Sequence, residues 1–155
     1  MQTPKAIIRH SLWLELIDAL KKKGAGRRET GAFLLASNGT TEIMNVGYYD
    51  DFDPHCFDTG IIVFDGNAFI PLWDYCRQTN TFVIADVHTH PDQWTGQSHA
   101  DKTHPMISQL GHIALIVPRY AQKVTSLRGV GIYEYKGGYQ WKTIKNKSNY
   151  FKIIK

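Results

Sequence analysis

Apolar residues recur along the chain with two different spacings, and each spacing predicts a different kind of element. Leu12, Leu16 and Leu20 recur at the interval of one helical face, whereas residues 113–117 form the short apolar run of a buried strand. Strands are predicted at residues 6–8, 31–36, 41–49, 61–64, 81–88, 113–117, 131–135 and 139–144. Helices are predicted at residues 12–22, 67–79 and 98–110, the second with Pro71 in its first turn or at a bend.

This order of elements predicts an α/β protein in which a mixed β-sheet is flanked by helices. Asn38-Gly39 and Gly137-Gly138 are turn sequences, and they predict that the strands on either side of them pair as hairpins. The chain has 155 residues, 43% of them hydrophobic, and we find no repeat or low-complexity stretch. We therefore expect one domain spanning residues 1–155, with a polar loop at residues 50–59.

The hydrophobic pattern, the first residues and the cysteine spacing argue against several classes of protein. No run of 18 apolar residues occurs, and the first residues lack the layout of a signal peptide, so a cytoplasmic protein without a membrane segment is expected. Cys56 and Cys76 are not spaced as metal ligands, and both are expected to be reduced, with Cys76 in the core. A Cys/His protease is therefore a poor alternative.

The chain carries a net charge of +4, and its basic residues are clustered. Lys21–Lys23 lie at the end of the first predicted helix, where cations suit the helix dipole without any ligand. The lysine-rich residues 142–155 predict a solvated strand face and a terminal clamp, with an acidic partner or nucleic acid as the alternative. Nothing resembles a helix-turn-helix, an RNP motif or a zinc finger, so a nucleic-acid partner is not expected.

Candidate metal chemistry is concentrated at residues 88–101, HTHPDQWTGQSHAD. Side chains alternate along a strand, so His88 and His90 share a face if the extended backbone continues beyond the strand. Pro91 favours that geometry, because it disfavours helical backbone at the residue before it. Two imidazoles placed in this way can bind one metal ion.

Ser98 and Asp101 have two alternative interpretations. Serine is a preferred N-cap, and an acid three residues later completes a capping pair that needs no metal. Beside the two histidines, however, Asp101 would supply a third ligand and leave the fourth position open, as in catalytic zinc sites. Asp86 and backbone carbonyls are candidates to orient the imidazoles, and His112 is expected to be hydrogen-bonded in a core strand.

The spacing H-x-H, seven residues, Ser, two residues, Asp resembles the JAMM (also called JAB or MPN+) zinc metalloprotease signature at every fixed position. An isolated acid, Glu29, stands upstream at the head of an apolar strand, as the catalytic glutamate of that family does. Ala32 is a mild departure, because the family more often has a second glycine there. A chain of this length is similar to the stand-alone prokaryotic members.

The resemblance implies a three-layer, cytidine-deaminase-like JAB/MPN fold over nearly the whole chain. It also implies one Zn²⁺ per chain, held by His88, His90 and Asp101 together with a catalytic water. By the same match, Glu29 is the general base and Ser98 donates a hydrogen bond to the oxyanion.

The expected substrate comes from the resemblance rather than from any spacing. JAMM enzymes typically cleave after the C-terminal glycines of ubiquitin-like proteins, and bacterial stand-alone members occur with ubiquitin-like conjugation and antiphage operons. A ubiquitin-like protein or its conjugate is thus the expected partner. The expected walls of its channel are residues 92–97, with Trp94 at the tip, and residues 50–58. The sequence does not predict the oligomeric state. The alternatives are a small-substrate zinc hydrolase, acting on a sulfur-carrier protein or cell-wall peptides, and a non-catalytic MPN scaffold. Scaffolds usually lack the metal ligands that are intact here.

Overall fold

An eight-stranded β-sheet lies at the centre of the computed structural model, which describes residues 3–155. The strands are β1 (Ala6–Arg9), β2 (Gly31–Ser37), β3 (Glu42–Tyr48), β4 (Thr81–Thr89), β5 (Ile113–Val117), β6 (Gly131–Tyr135), β7 (Trp141–Thr143) and β8 (Phe151–Ile154). Their order is β7-β6-β5-β4-β2-β3-β1-β8. β4 pairs with β5 in parallel, as β1 does with β3 and β8, and the other neighbours are antiparallel. The predicted mixed sheet is confirmed, as are both hairpins.

Within the same residues, the α-helices are α1 (His10–Gly24), α2 (Tyr49–Phe52), α3 (Phe69–Thr79), α4 (His99–Thr103) and α5 (Lys147–Tyr150). α1 buries one apolar stripe, including Trp13, Leu16 and Leu20, in one hydrophobic cluster. α3 contributes Leu72 and Cys76 to a second cluster, and Pro71 sits in its first turn, where its missing N–H costs no helical hydrogen bond.

The two clusters lie on opposite faces of the sheet, because successive residues of β2 enter them alternately. Ala32 and Leu34 belong to the cluster under α1, whereas Phe33 and Leu35 belong to the cluster under α3. All four side chains are fully buried. This arrangement of helix, sheet and helix confirms the predicted three layers.

The predicted helix at residues 98–110 is wrong beyond Thr103. α4 ends at Thr103, the backbone of the following His104 has left the helical region, and the next residue is Pro105. Proline lacks an N–H and disfavours helical backbone at the residue before it, so it stops the helix after five residues. The segment from Pro105 to His112 consists of turns, bends and irregular backbone.

The predicted strand at residues 61–64 is also wrong. Its backbone forms no strand pairing with any described residue, and its hydrogen bond from Val63 N–H goes to the Cys56 carbonyl at 2.9 Å. Ile62 and Phe64 pack against the cluster under α3, while Ile61 and Val63 stay exposed. The apolar run therefore reflects a loop packed on the core. The predicted polar loop at residues 50–59 differs at its start, which lies in α2.

The carboxyl-terminal segment forms the edge strand β8, which pairs with β1. Phe151 is fully buried and its ring meets that of Trp13 edge-on, with centroids 6.1 Å apart. The predicted terminal clamp is therefore present, with Lys152 exposed on the strand. Across residues 3–155 we find no helix with the length and hydropathy needed to cross a bilayer.

Candidate metal centre

β4 carries His88 near its carboxyl end, in the middle of the sheet, and His90 follows directly after the strand. His88 pairs with Gly31 of β2 on one side and with Ile116 of β5 on the other. Beyond the end of β4, His90 N–H donates to the Val117 carbonyl at 2.8 Å, which keeps the backbone extended. Both imidazoles are mostly buried, with side-chain exposures of 13% for His88 and 7% for His90.

A left-handed turn at Arg119–Ala121 holds the loop that follows His90. Arg119, Tyr120 and Ala121 all have positive φ, at 53°, 53° and 67°. Tyr120 N–H donates to the His90 carbonyl at 2.9 Å, and Arg119 N–H donates to the Asp92 carbonyl at 2.8 Å. This unusual backbone therefore fixes the direction in which the chain leaves the second histidine.

The three predicted ligands converge on one point. His88 Nε2 and His90 Nε2 are 3.2 Å apart, His88 Nε2 is 3.3 Å from Asp101 Oδ1, and His90 Nε2 is 3.2 Å from Asp101 Oδ2. For zinc bonds of about 2.0–2.1 Å, the edge of a coordination tetrahedron is about 3.3 Å. The separation of the two imidazole nitrogens matches one such edge, and one ligand atom from each of the three residues lies within 4.8 Å of the other two. Of all described residues, these three alone form a group of histidine, cysteine or acidic side chains able to hold a metal ion.

Protons do not account for this arrangement as well as a cation does. Each Nε2 carries at most one hydrogen, so hydrogen bonds can satisfy no more than two of the three short contacts among His88, His90 and Asp101. A cation at the centre satisfies all three. The donor set of two imidazoles and one carboxylate is one that zinc prefers, and it leaves a fourth position open. The residues present therefore fit zinc.

The tautomer of His90 follows from its second nitrogen. His90 Nδ1 lies 3.1 Å from the Trp94 carbonyl oxygen, which can only accept, so Nδ1 carries a proton, and with a cation bound Nε2 would present its lone pair. The Trp94 ring also stacks on the imidazole, with centroids 5.5 Å apart and an interplanar angle of 23°. Of the two candidates from the sequence, a backbone carbonyl rather than Asp86 therefore orients this ligand.

Ser98 and Asp101 form the predicted capping pair and take part in the site at the same time. Ser98 N–H donates to Asp101 Oδ2 at 2.9 Å, and Asp101 N–H donates to Ser98 Oγ at 3.1 Å. This reciprocal cap begins α4 and turns the Asp101 carboxylate towards both imidazoles. The two alternatives that the sequence left open are therefore compatible.

The charges of the site are strongly coupled. Burial disfavours the ionised form of Asp101, but hydrogen bonds from His88 and His90 outweigh it and lower the pKa of this carboxyl well below its usual range. Burial likewise lowers the pKa of His88, but the hydrogen bond and charge of Asp101 outweigh it and leave that pKa raised. The site is therefore built to hold a carboxylate against positive charge.

Glu29 lies beside His88, His90 and Asp101, called the trio below, on the short connection between α1 and β2. Thr30 is buried and tied to β4: its N–H donates to Thr89 Oγ1 at 2.9 Å, and its carbonyl accepts from Thr89 N–H at 2.9 Å. Glu29 N–H donates to the Gly60 carbonyl at 2.8 Å. Burial raises the pKa of the Glu29 carboxyl, and the charges of His88 and His90 oppose that rise only in part. The backbone thus holds an acid of raised proton affinity next to the trio.

The trio opens into a cleft of about 440 Å³ that Glu29 and Ser98 also line. One wall includes Trp94 and Gln97, so the predicted wall at residues 92–97 is present. The other predicted wall, residues 50–58, is wrong. Tyr49, Ile61 and Ile62 line that side instead, because the loop from α2 turns away and returns only at residue 61.

A buried hydrogen-bond network under the cleft was not predicted from the sequence. Tyr49 O–H donates to Asp86 Oδ2 at 2.9 Å, and His112 Nε2 lies 2.6 Å from Asp86 Oδ1. His112 is hydrogen-bonded in the core, as expected, but its partner depends on the pairing of β4 with β5. A Cβ at Gly31 would overlap the Tyr49 ring, so glycine there makes room for this network. The sequence signal for this network was Asp86, an acidic residue within the otherwise apolar strand β4.

Comparison with solved structures identifies the fold. No family model matches the chain. A protein from Desulfitobacterium hafniense, solved in solution, has 13% identity and a TM-score of 0.64, with 90% of each chain covered. A JAB1/MPN domain protein from Archaeoglobus fulgidus has 16% identity and a TM-score of 0.54, with 93% of this chain and 96% of that chain covered. A protein described as JAMM, a metalloprotease-like zinc site in the proteasome and signalosome, has 18% identity and a TM-score of 0.50, covering 92% and 95%. This chain therefore has the JAB/MPN fold that the resemblance implied.

Proposed function

We propose that this chain, a JAB/MPN fold with two imidazoles and a carboxylate converging in its cleft, is a zinc-dependent peptidase or isopeptidase. Its proposed substrate is a ubiquitin-like protein, cleaved after the C-terminal glycine tail to release a conjugate or a precursor extension. The observation that carries the proposal is the convergence of His88, His90 and Asp101 at separations of 3.2–3.3 Å. Glu29 and Ser98 beside them supply the remaining groups that amide hydrolysis needs.

The proposed roles follow from what each side chain can do. His88, His90 and Asp101 would hold the zinc, which when bound would polarise the scissile carbonyl and acidify a water molecule. Glu29 would take the proton of the attacking water on its carboxylate and deliver it to the leaving nitrogen. Its raised pKa suits this exchange, because a base is most effective when its pKa approaches the working pH.

Ser98 is the proposed oxyanion donor. Its Oγ accepts from Asp101 N–H, which leaves the hydroxyl hydrogen free to donate into the cleft. Trp94 would exclude water from the face of His90 on which it stacks. The glycine tail itself is proposed from the JAMM resemblance and from the fold.

The first test separates metal binding from turnover. Purified protein should contain close to one zinc per chain, and Asp101→Ala should lose it. Glu29→Gln should retain zinc and thermal stability but lose a factor of about 10²–10⁴ in rate. Well-folded wild-type protein without zinc, or Glu29→Gln cleaving at the wild-type rate, would contradict the assigned roles.

The second test addresses the substrate. A ubiquitin-like protein from the gene neighbourhood is fused through its glycine tail to a reporter and incubated with wild-type protein, with Glu29→Gln, or with a chelator. Only the wild-type protein should release the reporter, and an isolated tail peptide should be a poorer substrate than the folded fusion. If the fusion stays intact while sulfur-carrier adducts or cell-wall peptides are hydrolysed, the small-substrate alternative replaces this proposal.

A further inference from the structure

Two loops that contact each other beside the cleft both carry positively charged side chains. The first follows α1 at residues 25–28, and the second contains the left-handed turn at residues 119–123. A Cβ on Gly24 would lie 3.8 Å from Tyr120 Cβ, and a Cβ on Gly26 would lie 2.9 Å from Gln122 Nε2, so the two loops pack together. Four cations flank this contact and are called the basic surface: Arg27, Arg28, Arg119 and Lys123.

The basic surface has no acidic partner of its own. The neighbouring lysines of α1 are paired, since Lys22 Nζ lies 2.8 Å from Asp18 Oδ2 and Lys23 Nζ lies 3.0 Å from Asp50 Oδ2. By contrast, no side chain of the basic surface lies within 4.0 Å of a carboxylate oxygen of residues 3–155. The dipole of α1 acts only within its last turn, so it does not account for the cations on the second loop. The basic surface is therefore a local excess of positive charge.

Two of its arginines are held in place through their Nε atoms. Arg28 Nε donates to the Lys23 carbonyl at 2.8 Å, and Arg119 Nε donates to the Gln122 carbonyl at 3.4 Å. The terminal Nη groups of both are left to bind a ligand, and a planar guanidinium matches the two oxygens of a carboxylate or phosphate. Arg119 and Lys123 also have positive φ, at 53° and 60°. Non-glycine residues rarely adopt such backbone, and it is concentrated at functional sites.

The basic surface borders the cleft on both loops. Arg28 directly precedes Glu29, and Arg119 N–H donates to the Asp92 carbonyl at 2.8 Å. Glu29 and Asp92 both line the cleft. A polypeptide bound in the cleft would therefore extend alongside the basic surface.

We propose that the basic surface binds an acidic segment of the protein substrate, next to the glycine tail. That this segment belongs to the substrate rests on the proposed peptidase function, whereas binding of carboxylates to these side chains does not. The position of the basic surface favours carboxylates over the phosphates of a nucleic acid, because a peptide chain in the adjacent cleft would bring its own acidic residues. Attraction between opposite charges would then speed the encounter and select acidic substrates.

Binding is measured first, by fluorescence anisotropy on the Glu29→Gln protein, so that cleavage does not interfere. The probes are a labelled hexaglutamate peptide, its hexaglutamine counterpart and a single-stranded hexathymidylate. At low salt, the glutamate peptide should bind about tenfold more tightly than the glutamine peptide or better. The preference should disappear at about 1 M salt, where charges are screened beyond about 3 Å.

Two double variants locate the binding on the protein. Arg27→Gln with Lys123→Gln removes two exposed cations from the basic surface, and Lys145→Gln with Lys152→Gln removes two exposed cations from the carboxyl-terminal segment. The two doubles lower the net charge equally, and exposed positions of this kind tolerate substitution with little loss of stability. An exposed ion pair typically contributes about two- to fivefold in affinity. The first double should therefore weaken glutamate-peptide binding about 4- to 25-fold, while the second should leave it within about twofold.

Three results would overturn the proposal. The first is equal affinity of the two peptides at low salt. The second is equal weakening by the two double variants, which would indicate attraction to the net charge alone. The third is tighter binding of hexathymidylate than of the glutamate peptide, lost in the Arg27→Gln and Lys123→Gln protein, because the occupant would then be a nucleic acid.

Turnover separates this inference from the proposed function. The reporter fusion is prepared with an acidic or a neutral segment beside the glycine tail, and both forms are compared with wild-type Glu29. The acidic form should have the lower KM and a similar kcat, because the basic surface lies beside the scissile bond and does not contact it. Hydrolysis without preference, together with equal peptide binding, would remove the role of the basic surface and leave the peptidase assignment intact. Selective peptide binding in a protein that hydrolyses neither fusion would remove the peptidase assignment and leave the basic surface.

Discussion

Replacing Ser98 by alanine should separate its capping role from its proposed catalytic role. The change removes the acceptor of the 3.1 Å hydrogen bond from Asp101 N–H but leaves the 2.9 Å bond from Ser98 N–H to Asp101 Oδ2, because that donor is backbone. The carboxylate therefore stays oriented towards the imidazoles. The loss of an N-cap side chain typically costs about 1 kcal/mol.

The two roles predict effects of different size. If the whole capping energy were lost from the metal-bound state, zinc affinity would fall only about fivefold, since about 1.4 kcal/mol corresponds to tenfold. Loss of an oxyanion donor typically costs about 2.7–4 kcal/mol in the barrier, which lowers kcat by about 10²–10³. At saturating zinc, we therefore expect Ser98→Ala to bind the metal almost normally and to lose about two to three orders of magnitude in kcat.

The assay combines chelator-competition measurements of zinc affinity with single-substrate kinetics at saturating zinc. Ser98→Gly is the informative control, because glycine costs only a few tenths of a kcal/mol as an N-cap yet removes the hydroxyl. It should match Ser98→Ala in kcat and exceed it in stability, while Ser98→Thr should retain both functions. A kcat within about fivefold of wild type for both hydroxyl-free variants would refute the oxyanion role and leave Ser98 as a cap only.

Two further measurements test the support of the site. Gly31→Ala should destabilise the protein by about 1–3 kcal/mol, because its Cβ would overlap the Tyr49 ring and lie 2.8 Å from the Val87 carbonyl oxygen; unchanged urea unfolding would contradict this. In metal-free protein, the His88–Asp101 pair should stabilise the fold most between the ordinary pKa values of 3.8 and 6.5. Because the pKa of His88 is raised, the stabilisation that its charged form provides is fully present below pH 6.5. That stabilisation is lost as the pH rises through the pKa of His88 in the folded protein. Because the pKa of Asp101 is lowered, the stabilisation that its carboxylate provides is present above pH 3.8. That stabilisation is lost as the pH falls through the pKa of Asp101 in the folded protein. Thermal midpoints of wild type and Asp101→Asn should thus converge at higher pH, and a constant gap would contradict the assignment.

The sequence was most informative where local chemistry determines the structure. The extended H-x-H segment, the serine cap and the acid at the head of β2 each depend on neighbours within a few residues, and the structure brings all of them to one cleft. The long motif helix was mispredicted, because Pro105 stops it after Thr103.

The Asp86 network could not be derived from local pattern. It joins Tyr49, Asp86 and His112, which become neighbours only through the pairing of β4 with β5 and the packing of α2. The left-handed turn at Arg119–Ala121 was equally hidden, since positive φ usually appears in sequence as glycine or asparagine, and neither occurs there.

The three metal ligands differ in the rigidity of their supports. His88 and His90 are fixed by β4 and its neighbours, whereas Asp101 lies on a five-residue helix that has no buried residue. Beyond its cap and the contacts of Asp101 with the two imidazoles, α4 is attached to the sheet by the hydrogen bond from Trp141 Nε1 to the Lys102 carbonyl at 3.2 Å. Local opening of such a segment costs far less free energy than global unfolding. Metal uptake should therefore proceed in two kinetic stages. The ion would first bind to His88 and His90, and Asp101 would then coordinate it as α4 folds against the site. The lifetime of the bound ion would then be set by fraying of α4, and a chelator would remove it while the sheet stays folded.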